Sequence, residues 1–210
     1  AWNDVFVVIG PANILLRDID AISGDAKAKN RIKGQALAIR AHVHFDMLRF
    51  WGVSLARNST QLGVPYIKVY DVNGQPARLT VKETYDNILA DLTTAKILLA
   101  NVDKSINSSS KRAYFDIHGV NAMIARVNFY AGEFTAAAAA AQEVINAIPI
   151  ASITEYPGIW KDETVAEVIW APNYEAAADG YTYENAFFAR GNRSSYRPTT
   201  DLTALYGAGD

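Results

Sequence analysis

Apolar positions recur along this chain mainly at helical spacing. Their longest run is GQALAIRAHVHFDMLRFWG, from Gly34 to Gly52. Leu37, Ala41, Phe45 and Leu48 follow one helical stripe; Ile39, Val43, Met47 and Phe50 follow a second, offset by two residues. A helix apolar around most of its circumference is buried around most of it, so the stretch predicts a central helix with others packed about it. Gly34 stands at its start, and Gly52 where a glycine usually follows a helix.

The same periodicity divides the rest of the chain. Residues 2–22 predict a first helix with Trp2, Phe6, Ile9 and Asn13 on one face, continued by Leu16 and Ile19. Pro11 inside it should kink or divide it. After a turn at Ser23-Gly24-Asp25, the second helix covers about 26–51. From Gly52 to about Leu79 the pattern is lost, punctuated by Gly63, Pro65, Asn73-Gly74 and Pro76, with Val64–Val69 as a brief extended piece. A connection this long is uncommon in a compact domain and predicts either a functional loop or one packed over the body.

Thr80 and Glu83 spell a capping box, opening a third helix whose buried stripe is Val81, Tyr85, Ile88, Leu92 and Ala95, with Leu89, Ile97 and Leu99 beside it. A polar loop, 101–110, leads to a fourth helix from about Ala113 to Ala131. Gly132-Glu133 turns the chain into a fifth, Phe134–Ala147, stopped by Pro149. Ala125, Gly132, Phe134, Ala137, Ala141, Val144 and Pro149 have the spacing of a tetratricopeptide repeat: small residues let two antiparallel helices approach, glycine turns, proline ends. Beyond it, residues 167–171 predict a short strand or a packed extended segment, 173–196 show no period, and Thr199–Leu205 a short last helix. The expected fold is therefore mainly α. A tetratricopeptide-repeat-like helical region spans 1–149, and an irregular, loop-rich part spans 150–210.

Composition changes this picture in two places. Over 210 residues the net charge is −2, without the basic excess a nucleic-acid footprint needs. The cluster Lys27, Lys29, Arg31 and Lys33 reads as the solvated start of a helix. There is no cysteine, which removes disulfides, thiolate metal sites and cysteine nucleophiles. No apolar run approaches the roughly 18 residues that span a bilayer. Aromatic residues, by contrast, make up 11% of the chain, with tyrosines gathered where helical order fades. Such rings either pack loops onto a helical body or stack on ligands, including the apolar faces of sugars. From composition, Trp160, Tyr181, Tyr183, Asn185 and Arg190 are the expected ligand-contacting residues.

Catalytic chemistry is not spelled out. His42 and His44 are two apart on a helix and point away from each other, so they cannot share a metal. Together with the spacings Arg40/His44 and Asp46/Arg49, they read as polar groups satisfied between packed helices. No phosphate-binding glycine loop or nucleophile elbow appears. No catalytic residue, metal or cofactor is expected.

In order along the chain, Ala12-Asn13, Arg40-Ala41, Phe45-Asp46-Met47-Leu48, Trp51-Gly52 and Val64-Pro65, then Arg78–Tyr85 with Ile88 and Asp91-Leu92, then Ala125-Arg126, Tyr130 and Gly132-Glu133-Phe134, then Glu167–Trp170 and Tyr196–Thr199 with Leu202 resemble the SusD/RagB family of Bacteroidetes nutrient-binding outer-membrane lipoproteins. His42-Val43-His44 departs from the family's aromatics after Arg-Ala. The resemblance implies a non-enzymatic, lipid-anchored protein of the cell surface that captures glycans or other nutrients and delivers them to a TonB-dependent, SusC-like outer-membrane receptor. It also implies that 1–149 and 150–210 belong to one SusD-like domain, incomplete at both ends. The family's lipobox cysteine is absent here, and much of its sugar-contacting surface precedes the first helix. The alternative is a helical-repeat scaffold that binds protein without a ligand of its own.

Overall fold

A computed structural model describes residues 2–100, 102, 107, 112–161, 163–172, 188–189, 193–194 and 199–205. The protein is mainly helical. Five long helices, α1 (Asp4–Asp18), α2 (Ala26–Trp51), α3 (Val81–Leu99), α4 (Ile117–Ala131) and α5 (Phe134–Ala147), are followed by the single turn α6 (Tyr156–Ile159). All lie in a compact unit spanning Ala1–Pro172. A second unit, Asn173–Asp210, contains the antiparallel pair β1 (Phe188–Ala189) and β2 (Arg193–Ser194), with Phe188 opposite Ser194. It also contains α7 (Thr200–Thr203), capped by the Thr199 hydroxyl.

The apolar run does form the centre. α2 packs against α1 and α3, α3 against α4, and α4 against α5. Ala38, Ala41, Phe45, Met47 and Leu48 of α2 meet Val81, Tyr85, Ile88, Leu92 and Ala95 of α3, all fully buried in one core. Both halves of the Thr80–Glu83 capping box are present. Gly132 ends α4 in the left-handed conformation, φ 81°, which a side chain rarely adopts, and so turns the chain into α5. Residues 167–171 form no strand; they start in a turn, with the Val168 amide donating to the Val165 carbonyl, and Trp170 packs onto the helical unit. Its ring stacks on Phe115 at 4.4 Å, and its indole N–H donates to the Ala113 carbonyl.

Several local expectations are corrected. Gly34 is inside α2, where a Cβ would lie 2.6 Å from Leu99 Cγ; it is a contact point for α3 rather than a helix start. Gly52 does directly follow α2, in an extended conformation, and its place is tight because a Cβ there would meet the Leu48 carbonyl oxygen at 2.5 Å. Phe50 and Ile97 are exposed, since each sits near the end of its helix, on a side that no other helix covers. Pro11 does not divide α1: the carbonyl it leaves without a donor belongs to Val7, whose side chain is exposed.

α4 begins four residues later than Ala113, because Asp116 caps it. One carboxylate oxygen accepts from the amides of His118 and Gly119, each at 2.9 Å, and the other accepts from the Asn107 side chain. Replacing Asp116 by alanine is expected to cost about 1 kcal/mol. It should appear as a lower urea midpoint with an unchanged slope; an unchanged midpoint would remove the cap's role.

Candidate functional site

The side of α1 carrying Phe6, Ile9 and Asn13, with Trp2 just before the helix, does not close completely against another helix. It forms one wall of a cleft of about 980 Å³, whose other wall is the irregular segment from Pro65 to Pro76. That size is typical of a pocket for a small organic ligand.

Short-range geometry starts the second wall. Gly63 donates to the Leu79 carbonyl and Leu79 to that of Val64, with an isolated antiparallel bridge between Leu62 and Thr80. Arg78 closes this base by donating from Nε to the Gly63 carbonyl and from Nη2 to that of Trp51. Val64 and Pro65 are buried, and Pro65 has no amide hydrogen to pair.

From there the wall is held by side chains that come from far away in sequence. Asn13 Nδ2 donates to the Ile67 carbonyl at 3.0 Å, and the Ile67 amide donates to His44 Nε2, also at 3.0 Å. The His44 ring stacks on Tyr66, centroids 4.0 Å apart, and the Tyr66 hydroxyl donates to Asp91. Asp91 also receives a two-pronged contact from Arg40, Nε at 2.7 Å and Nη2 at 2.9 Å, while Arg40 Nη1 donates to Asn13 Oδ1. Helices α1, α2 and α3 thus meet the segment in one connected polar network. Arg40, Asp91, Asn13 and His44 are all buried.

Burial decides the charge states. Burial alone would lower Arg40, but its hydrogen bonds and ion pair with Asp91 hold it above its usual value. Burial, then the Asp91 carboxylate, push the Tyr66 hydroxyl well above the usual tyrosine range. Burial lowers His44 to about 4, so it is neutral near pH 7. Its tautomer is fixed by its partners: Nδ1 faces the Arg40 carbonyl at 2.8 Å and must carry the proton, leaving Nε2 free to accept.

Toward solvent the cleft is aromatic and mixed polar. Trp2 meets Phe6 and Trp51 edge to face. Tyr70, about half exposed, lies where Gly10 leaves room: a Cβ there would be 3.1 Å from its ring. Lys68, Asp71, Gln75 and Asn87 add donors and acceptors around the lining. Asp71 accepts from the Asn73 amide, shaping the turn at the far end of the wall. The arrangement offers flat apolar faces bordered by polar side chains, which suits a ligand with the same two characters. Among the described residues no group of three His, Cys, Asp or Glu is placed to hold a metal.

Trp160 is exposed at the end of α6, edge to face with Tyr156, and does not line this cleft. Tyr181, Tyr183, Asn185 and Arg190 lie outside the described residues. The cleft residues were legible only as pieces: the stripe Trp2, Phe6, Ile9 and Asn13, and a suspiciously long irregular connection. The polar Asn13 within an otherwise apolar stripe is the available signal that the stripe borders something other than core.

Comparison with known proteins gives a consistent result. A SusD-like family model, described as starch-binding associating with outer membrane, matches residues 1–129. The SusD-like protein P2 of Formosa agariphila is 30% identical over 149 residues, covering 69% of this chain and 26% of the relative. A SusD superfamily protein of Bacteroides thetaiotaomicron superposes with a TM-score of 0.74 at 27% identity, over 84% of this chain and 39% of that one. A SusD-like carbohydrate binding protein of Bacteroides vulgatus shares the fold with a TM-score of 0.63 at 24% identity, over 74% and 33%. The chain therefore spans between a quarter and two fifths of the length of these relatives.

Proposed function

Because the chain belongs to the SusD-like (SusD/RagB) family, we propose that it is the helical part of a cell-surface protein that captures oligosaccharides and delivers them to a TonB-dependent, SusC-like transporter. In this reading the full-length protein is held at the outer membrane by a lipid anchor and breaks no glycosidic bond. The observation that supports it is the cleft between α1 and 65–76. Its rings Trp2, Phe6 and Tyr70 are bordered by amide and charged side chains, matching a pyranose, which is apolar on its faces and hydroxylated at its rim. Trp160, with Tyr181, Tyr183, Asn185 and Arg190, is retained as a second set of glycan contacts.

Calorimetric titration of the whole chain with maltoheptaose and a panel of α- and β-linked gluco-oligosaccharides tests this. At least one sugar is expected to bind. Trp2→Ala and Tyr70→Ala should each weaken that binding roughly three- to tenfold, the loss of one aromatic face. Absence of heat with every sugar, or binding indifferent to both substitutions, would count against the cleft as the glycan site.

A further inference from the structure

Along the stretch of the cleft wall from Pro65 to Tyr70, Ile67 is the residue whose backbone amide and carbonyl are both taken by buried side chains, His44 of α2 and Asn13 of α1. Neither gripping side chain lines the open face as a ring or a charge. His44 is fully buried, and Asn13 is tied through Arg40 to Asp91. The grip falls between Tyr66, which is anchored beneath the wall, and Tyr70, which is exposed above it. Sequence alone gives no reason for a segment bounded by Pro65 and Asn73-Gly74 to hold one position; here two helices supply it.

We propose that His44 and Asn13 are positioning residues for the cleft: by holding both polar groups of Ile67, they place Tyr70 and Lys68 for the occupant and keep the 65–72 wall from collapsing or lifting. The argument is geometric. Beyond the Leu62–Thr80 bridge and the Gly63–Leu79 base, the bonds that tie the backbone of residues 65–70 to the helices are the two on Ile67, with Tyr66 anchored to Asp91 by its side chain. His44 can serve only in one tautomer, with Nε2 as acceptor. The groups that face the ring are Arg40 on its own helix, Asp91 on α3 and Tyr66 of the wall, with Lys68 over the Tyr66 ring. This assignment rests on the glycan reading only for the identity of the occupant.

Two substitutions separate positioning from bulk stability. Glutamine places an acceptor near the position of Nε2; asparagine keeps a donor near Nδ1 but does not reach Ile67. In the whole chain, His44→Asn is expected to speed hydrogen exchange of the Ile67 amide about tenfold or more, with the α3 core amides far less affected. It should also weaken whichever oligosaccharide of the panel binds by about tenfold. His44→Gln is expected to restore both toward the parent values. Equal exchange at Ile67 in the parent and His44→Asn would overturn the proposal, as would equal defects in the two variants or faster exchange with unchanged affinity. If no sugar binds the parent protein, the glycan reading fails by itself, and the exchange comparison still decides whether His44 fixes the wall.

Discussion

Asp91→Ala is expected to destabilise the protein by about 3–5 kcal/mol, measured by urea unfolding at pH 7. The reason is asymmetry. The Arg40–Asp91 pair is almost wholly enclosed, with side-chain exposures of 7% and 8%, and Asp91 accepts from both Arg40 and Tyr66. Removing the carboxylate leaves a buried guanidinium with Asn13 as its side-chain partner, and a buried hydroxyl without its acceptor. Replacing the pair together, Arg40→Met with Asp91→Leu, should cost clearly less, because no charge is stranded. A single-variant loss below about 1 kcal/mol, or a double variant worse than the single, would show that the pair is not what holds α2 to α3 here.

Acid is expected to weaken the protein through His44. Its folded value, about 4, lies below the ordinary 6.5 because burial disfavours the charged ring. Between those values the unfolded chain binds more protons than the folded one, so stability rises with pH. The stability that depends on a neutral ring is fully present above about pH 6.5 and is lost progressively as pH falls toward 4. The shift corresponds to roughly 2–3 kcal/mol between pH 7 and 4.5. The check is to compare the pH dependence of unfolding free energy with that of His44→Gln. The difference isolates this one ring from the carboxylates common to both proteins. Parallel curves would mean that His44 does not titrate in this way.

What was legible in the sequence is what depends on neighbours a few residues away. The stripe Val81, Tyr85, Ile88, Leu92 and Ala95 and the Thr80–Glu83 box determine α3 within its own length. Gly132 does the same for the α4–α5 turn. The misreadings arise where a local rule met a tertiary contact. Gly34 looked like a boundary and proved to be the place where Leu99 needs room. Arg40 and His44 do satisfy polar groups between packed helices, as their spacing suggests, but the spacing does not name the partners: Arg40 reaches Asp91 fifty-one positions away and His44 reaches Ile67 twenty-three away. The cleft could not be read for the same reason. Its aromatic stripe on α1 is indistinguishable from a core stripe until the opposite wall is known, and that wall has no period of its own. Trp160, Tyr181 and Tyr183 follow from composition alone, which records how many rings there are but not which ones face one another.

The double grip on Ile67 adds a fixed point inside the loop that the Gly63–Leu79 base closes, dividing it into two shorter spans. Loop-closure entropy then applies to each span separately, so changes of length are not equally tolerated along it. The exposed turn at Asp71–Gly74 can gain or lose residues while its ends stay pinned. An insertion between Pro65 and Ile67 would break the register of three buried contacts at once. The rim of the cleft can thus change shape without disturbing its floor.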